Sequence, residues 1–173
     1  MVLNGDNGAF DQLVKRHSSR VRGFVRRLCR DSDLADDIAQ DAFILAYRRL
    51  YQFKGESGLD SWLLGIAYRC FLQHQRKQQR WPERCEDSDT EDDSAGANTT
   101  ALADHIDLEK ALATLSPMQV AALTLNLSLG YSHAEVAAIM ALPLGTTKST
   151  ISRSLDKLRT IMNAPPISKT GRS

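Results

Sequence analysis

The sequence predicts an all-α protein: two small helical domains joined by a flexible acidic linker. Apolar residues recur at i, i+3, i+4 and i+7 through both ends of the chain, the period of an amphipathic helix. Hydrophobic residues make up 42% of the 173, enough for real cores, and aromatics only 6%, as in many helical proteins. Charge is segregated beneath a net +1: residues 1–80 carry 14 Lys/Arg against 9 Asp/Glu, 81–104 carry 1 against 8, and 105–173 carry 7 against 4. Two basic ends around an acidic block imply two surfaces for an anionic partner and a solvated connector. The expected partition is 1–80, linker 81–104, 105–163, and a frayed tail 164–173.

The three cysteines, Cys29, Cys70 and Cys85, are odd in number and widely spaced. No CxxC pair or Cys/His cluster accompanies them, so neither a disulfide framework nor a metal site is expected. No apolar run approaches the roughly 20 residues a membrane-spanning helix needs, and MVLNGDNGAF lacks a signal-peptide core. The expectation is a cytoplasmic protein with no membrane insertion.

The first helix is predicted over residues 9–30, with Phe10, Leu13, Val14, Val21, Phe24, Val25 and Leu28 on one stripe. His17 shares that stripe as a packed histidine. Arg16, Arg20, Arg22, Arg26 and Arg27 form the outer face, a solvated one or one for phosphate or an acidic partner. Asp31-Ser32-Asp33 breaks the pattern and caps a second helix, about 34–50, whose Leu34, Ile38, Leu45 and Ala46 face inward. Asp36, Asp37, Gln40 and Asp41 form an exposed acidic edge. With Phe43 nearby, that edge suits docking to a basic partner better than catalysis, since no His or further carboxylate completes a site.

Residues 51–61 read as a loop stopped by Gly55 and Gly58. Tyr51, Phe53 and Lys54 either stack on an unpaired base or plug the core. In the helix from about 60 to 80, Leu59, Leu63, Ile66 and Cys70 point inward, with Trp62, Ala67 and Phe71 beside them. Arg69, Gln73, Arg76 and Arg80 are spaced 4, 3 and 4 and share a stripe, to which Lys77 adds charge. That stripe suits phosphate neutralisation with base-edge hydrogen bonds. The connector 81–104 is too polar to fold alone.

Helix resumes at 105–115, with Ile106, Leu108, Ala111, Leu112 and Leu115 inward. Ser116, Pro117 and Gln119 are favourable at N-cap, N1 and N3 of the next helix, in which Val120, Leu123, Leu125 and Leu127 are expected to fill a small core. His105 and His133 read as loop or first-turn residues. Ser132 and Glu135 form a capping box. After Val136, Ile139 and Met140, Pro143 and Gly145 interrupt the pattern, and Thr146 or Thr147 caps a last helix with Ile151, Leu155, Leu158 and Met162 inward. Its outer face holds Ser149, Ser152, Arg153 and Asp156, flanked by Lys148 and Lys157. Two helices around a short turn fit an ordinary hairpin and a helix-turn-helix alike. Hydroxyls with Lys and Arg favour the second, with Thr146, Lys148, Ser149, Ser152 and Arg153 toward a major groove.

These residues resemble region 4 of the extracytoplasmic-function (ECF) class of bacterial sigma factors. The marks are Leu115-Ser116-Pro117, Gln119, Tyr131-Ser132, Glu135-Val136-Ala137, Leu142-Pro143, Gly145-Thr146, Lys148-Ser149 and Leu158-Arg159. Asp37 to Phe43 is similar to region 2.2, and the resemblance implies that Asp37, Gln40, Asp41 and Phe43 grip the β′ clamp helices of RNA polymerase. Phe53, Gly55, Ser57, Leu59, Trp62 and Leu63 resemble region 2.3, which implies capture of a flipped −10 base near Tyr51, Phe53, Lys54 and Trp62. By the same resemblance Arg69, Gln73, Arg76, Lys77 and Arg80 read the −10 element as region 2.4, and the last helix reads the −35 element. Arg69 and Gln73 stand where many members have Asn and Asp, and Thr150 and Leu155 where Arg is frequent.

The implied function is binding core RNA polymerase (β′ clamp helices and β flap), directing it to promoter DNA and promoting melting. It would be no enzyme, with no cofactor and no metal, a monomer when free, and under an anti-sigma factor. Two rivals remain at this point. A dimeric helix-turn-helix repressor or activator predicts a palindromic operator. A nuclease using Asp36, Asp37 and Asp41 with Mg²⁺ predicts metal-dependent cleavage.

Overall fold

The computed structural model describes residues 7–29, 31–55, 57–80 and 111–162. The acidic linker, Cys85, His105, Ile106, Leu108 and the tail from 164 lie outside the described residues. All regular structure among the described residues is helical, as the periodicity predicts.

Helix α1, Asn7–Cys29, buries Val21, Phe24, Val25 and Leu28. Helix α2, Ser32–Arg49, starts where Asp31 accepts from the amides of Asp33 and Leu34 at 2.9 and 3.0 Å. Its Ala35, Ile38, Ala39, Ala42 and Ala46 give α1 and α3 a close approach. A 3₁₀ turn, Leu50–Gln52, leads into a bend where Gly55 takes φ 74°, a left-handed conformation that glycine adopts without steric cost.

Helix α3, Leu59–Arg80, is the hub. The expected single inward stripe proves broader: Leu63, Leu64, Ile66, Ala67, Tyr68 and Phe71 are all buried, while Leu59 and Cys70 are only half-buried. The cause is tertiary. Helices pack on α3 from α1, from α2 and from the far half of the chain, leaving residues 63–68 no solvent face.

In the second half, a helical turn at 111–113 leads to α4, Pro117–Leu123. Ser116 and Gln119 make both bonds of a capping box. The chain then widens into a π turn, Thr124–Ser128. That turn overturns one expectation. Leu127 shares an α-helical face with Val120 and Leu123, but the wider π turn carries it out to 59% exposure, whereas Leu125 is buried as expected. Helix α5, His133–Met140, has the predicted Ser132–Glu135 box. It ends at Ala141, whose φ of 54° is the left-handed stop more often built from glycine.

Helix α6, Leu144–Met162, begins earlier than its threonines predict. Thr147 is fully buried and donates both amide and hydroxyl to the Pro143 carbonyl, so neither Thr146 nor Thr147 is the cap. Ile151 and Leu158 are buried as expected, whereas Met162 is exposed at the helix end.

Candidate nucleic-acid interface

Three exposed surfaces contain the predicted site residues. On α2, Asp37, Gln40 and Asp41 are exposed. Ile44 and Tyr47 share their face by helical spacing and stand 45% and 50% exposed, large apolar groups beside the carboxylates. Sequence reasoning missed both. The signal was two apolar residues following Gln40 at i+4 and i+7. Tyr47 packs edge-on against Phe10 of α1, ring centres 4.9 Å apart. Between α1 and α2 lies an open groove of ≈ 630 Å³, lined by Phe10, Val14, Asp37, Gln40, Ile44 and Tyr47 among others.

Asp36 of the predicted edge and the nearby Phe43 are less exposed than the rest. Phe43 is 9% exposed, a core side chain that only floors the groove, because it falls on the face that α2 turns to α1 and α3. Asp36 is half-buried and turned to the guanidinium groups of Arg22 and Arg26, at 3.6 and 4.0 Å. One of its oxygens has no hydrogen-bond donor within range. So paired, Asp36 is not grouped with Asp37 and Asp41, and the described residues hold no group of three His, Cys, Asp or Glu placed to bind a metal ion.

The second surface joins the bend to α3. Tyr51 projects at 73% exposure, its hydroxyl accepting from the Gln52 amide at 2.8 Å. Phe53 leans on Trp62, ring centres 5.2 Å apart and tilted 48°, and both are half-buried. The aromatics thus divide: Phe53 and Trp62 brace each other, and Tyr51 is largely exposed, with exposed Lys54 nearby in sequence. Along α3, Arg69, Gln73, Arg76 and Lys77 are exposed on one stripe. Arg80 ends the helix and its side chain lies outside the described residues. Asp41, Gln73 and Lys77 meet over a shallow cleft between α2 and α3 that also includes Cys70. Burial first, then the Asp41 charge, pushes the Cys70 thiol up, so it stays protonated and unreactive.

The third surface is α5, a short turn and α6. Thr146, Lys148, Ser152 and Arg153 are exposed on α6. Ser149 is half-buried and donates its hydroxyl to the Thr146 carbonyl at 3.0 Å. Thr150 is 8% exposed and faces the core. Lys157, expected on the flank, donates instead to the Thr114 carbonyl ahead of α4. Lys and Arg with Thr and Ser, set on the leading turns of a helix held by a short partner helix, can bind phosphates and base edges.

The fold and these surfaces define a helix-turn-helix protein with a second, separately basic helical module. Comparison with known proteins agrees. Residues 13–81 match the family described as Sigma-70 region 2, and residues 105–158 match Sigma-70, region 4. The chain is 31% identical over 172 residues to the RNA polymerase sigma-H factor of Pseudomonas aeruginosa, covering 91% of this chain and 88% of that protein. It is 32% identical over 159 residues to the ECF RNA polymerase sigma factor SigM of Mycobacterium tuberculosis, covering 91% and 79%. Among solved structures it resembles the sigma factor RpoE of Bartonella quintana, in complex with the anti-sigma factor NepR, with TM-score 0.72, 28% identity, and 89% and 96% of the two chains covered. The chain belongs to the sigma-70 family of RNA polymerase sigma factors, in its ECF class.

Proposed function

We propose that this chain binds core RNA polymerase through α2, reads and melts the −10 element through the bend and α3, and reads the −35 element through α6. The partition is the one read from the sequence: 1–80, a connector 81–104, 105–163, and a tail from 164. The carrying observation is that one chain presents both a carboxylate-and-apolar edge on α2 and two separate cation-bearing helices. A repressor needs only one reading helix and a dimer interface, and its operator-binding surface has no use for exposed carboxylates beside exposed apolar groups.

Asp37, Gln40 and Asp41 contact the β′ clamp helices, with Ile44 and Tyr47 filling apolar positions there. Tyr51 and Lys54 receive the flipped base above the Phe53–Trp62 pair. Arg69, Gln73, Arg76 and Lys77 follow the −10 strand, and Thr146, Lys148, Ser152 and Arg153 the −35 groove. The β flap receives the second half. Sigma factors are initiation factors, and the polymerase supplies the chemistry. The chain itself has no enzymatic activity in this reading. Among the described residues no helix is long and apolar enough to cross a membrane. The proposed setting is the cytoplasm, with an anti-sigma factor as inhibitor.

Run-off transcription with purified bacterial core polymerase, on the DNA upstream of the chain's own gene, tests this. Discrete starts that depend on the chain are expected, with Asp37→Lys and Asp41→Lys each lowering transcript by at least about tenfold, the equivalent of losing ~1.4 kcal/mol of docking. Absent starts, together with a dimer that shifts palindromic duplex DNA, would hand the function to the repressor.

A further inference from the structure

Helices α2, α4 and α5 each begin on a side chain that caps them: Asp31, Ser116 and Ser132. Helix α3 begins differently. The Trp62 amide donates to the Gly58 carbonyl at 3.1 Å. That puts glycine at the N-cap, with no side-chain oxygen to offer the free amides of the first turn. Asp60, in that turn, could serve the positive end of the helix. Its two oxygens are instead both engaged by α1. Arg20 Nη1 donates to Oδ2 at 2.7 Å, and His17 Nδ1 meets Oδ1. A carboxylate only accepts, so Nδ1 carries the hydrogen of that contact. His17 and Arg20 are neighbours on one face of α1, and the His17 side chain is only 15% exposed. Arg20, on the outer face in the sequence pattern, thus has a fixed partner 40 residues away.

We infer that His17, Arg20 and Asp60 are positioning residues for promoter melting: they fix the rotation of the first turn of α3, and with it the Phe53–Trp62 pair of the proposed base-capture site. The inference rests on the sigma reading above and extends it to residues assigned no contact with DNA or polymerase. Asp60 and Trp62 are two residues apart, about 200° around the helix. Asp60 therefore faces α1 while Trp62 faces the bend, where it packs on Phe53. At about 5–6 Å from the helix axis, a rotation of about 10° carries a side chain by roughly 1 Å. A binding constellation tolerates about half that displacement. A first turn without a side-chain cap frays by itself. The grip of α1 on Asp60 takes the place of the missing cap.

The test uses the full chain with purified core polymerase on two templates: the promoter upstream of its own gene, fully paired, and the same promoter with the −10 segment already unpaired by mismatches. Asp60→Asn keeps the size of the side chain but turns an amide NH₂ toward one of the two α1 donors. Arg20→Ala, at a side chain 44% exposed, is the companion that leaves the core untouched. Opening is read by 2-aminopurine fluorescence in the −10 strand. On the paired promoter, Asp60→Asn is expected to slow opening about fivefold and Arg20→Ala about twofold, with core binding unchanged and transcript from the unpaired template within about twofold of wild type. Equal losses on the two templates would reduce the cluster to a structural role, and no loss on either would remove it from melting. Both results overturn the inference. A second readout needs no polymerase. With Trp81→Phe as background, Trp62 is the only tryptophan, and both variants are expected to raise its quenching by acrylamide. Unchanged quenching would overturn the positioning. If wild type yields no transcript from either template, the sigma reading fails, while the quenching still decides whether α1 positions Trp62.

Discussion

Apart from the Tyr68 phenol, the α1–α3 half buries only apolar side chains among its described residues, whereas the α4–α6 half buries Thr124, Thr147, Thr150 and Ser154 beside its aliphatic residues. The second half can do so because a helical hydroxyl reaches the carbonyl one turn back. Thr147 donates to Pro143 at 3.2 Å and Ser154 to Thr150 at 2.6 Å. Each is satisfied by a carbonyl four residues earlier in the chain and enters the core with little penalty. A hydroxyl on a helix therefore says little about which face meets solvent or DNA. A cation says much more, since burying an unpaired charge is prohibitive. In α6 the cations Lys148 and Arg153 are exposed, while the hydroxyls divide between the two faces.

The strongest way to test the contrast is to cut each core. Phe24 is among the largest fully buried side chains of the first half. Phe24→Ala should cost about 3–5 kcal/mol, read from denaturant unfolding, because removing its ring leaves a cavity that the neighbouring helices cannot close. Ser154→Ala, equally buried in the second half, should cost under ~1 kcal/mol, since it removes donor and polar group together and leaves the Thr150 carbonyl in its helical ladder. Comparable losses from the two would mean that the second core depends on its hydroxyls.

Thr150→Arg comes next. ECF sequences often carry Arg at this place, and restoring it looks like a gain in −35 binding. At 8% exposure the site faces inward, so the variant should lose about 2–4 kcal/mol of stability from overpacking and a desolvated charge, with no gain in affinity for −35 duplex. Tighter binding with an unchanged melting temperature would place Thr150 on the DNA face.

Legibility in the sequence follows the same line. Local chemistry was readable: Asp31 before α2, both capping boxes, and the exposed stripe of Arg69, Gln73, Arg76 and Lys77 need only neighbours in the chain. What escaped depends on contacts between distant residues or on a change of helical period. Asp36 reads as free until Arg22 and Arg26 approach from α1. Leu127 reads as core until the π turn breaks the 3.6-residue count. Gly65 is singled out by no sequence pattern, and only the fold brings the Ile139 backbone of α5 against it. On the α2 surface the carboxylates drew attention and Ile44 and Tyr47 did not, because an apolar residue on a helix is assigned inward by default.

The smallest expected effect isolates a single proton. Glu135 accepts from the Ser132 hydroxyl and amide at 2.7 and 2.8 Å. Those bonds, the side-chain one first, hold its carboxyl below the ordinary range. The folded state therefore binds this proton more weakly than the unfolded chain, whose Glu titrates near ~4.3. The stabilisation is fully present above that value and disappears as pH falls through the lower folded one. Glu135→Gln keeps the shape of the box and removes its charge, so its melting temperature should lie slightly below wild type at pH 7. That gap should close as pH is taken below about 4. The carboxyl is fully exposed, so the gap is also expected to shrink in high salt. A gap unchanged from pH 7 to pH 3 would mean that the box holds α5 by hydrogen-bond geometry alone, and that charge adds nothing to the start of the helix supporting α6.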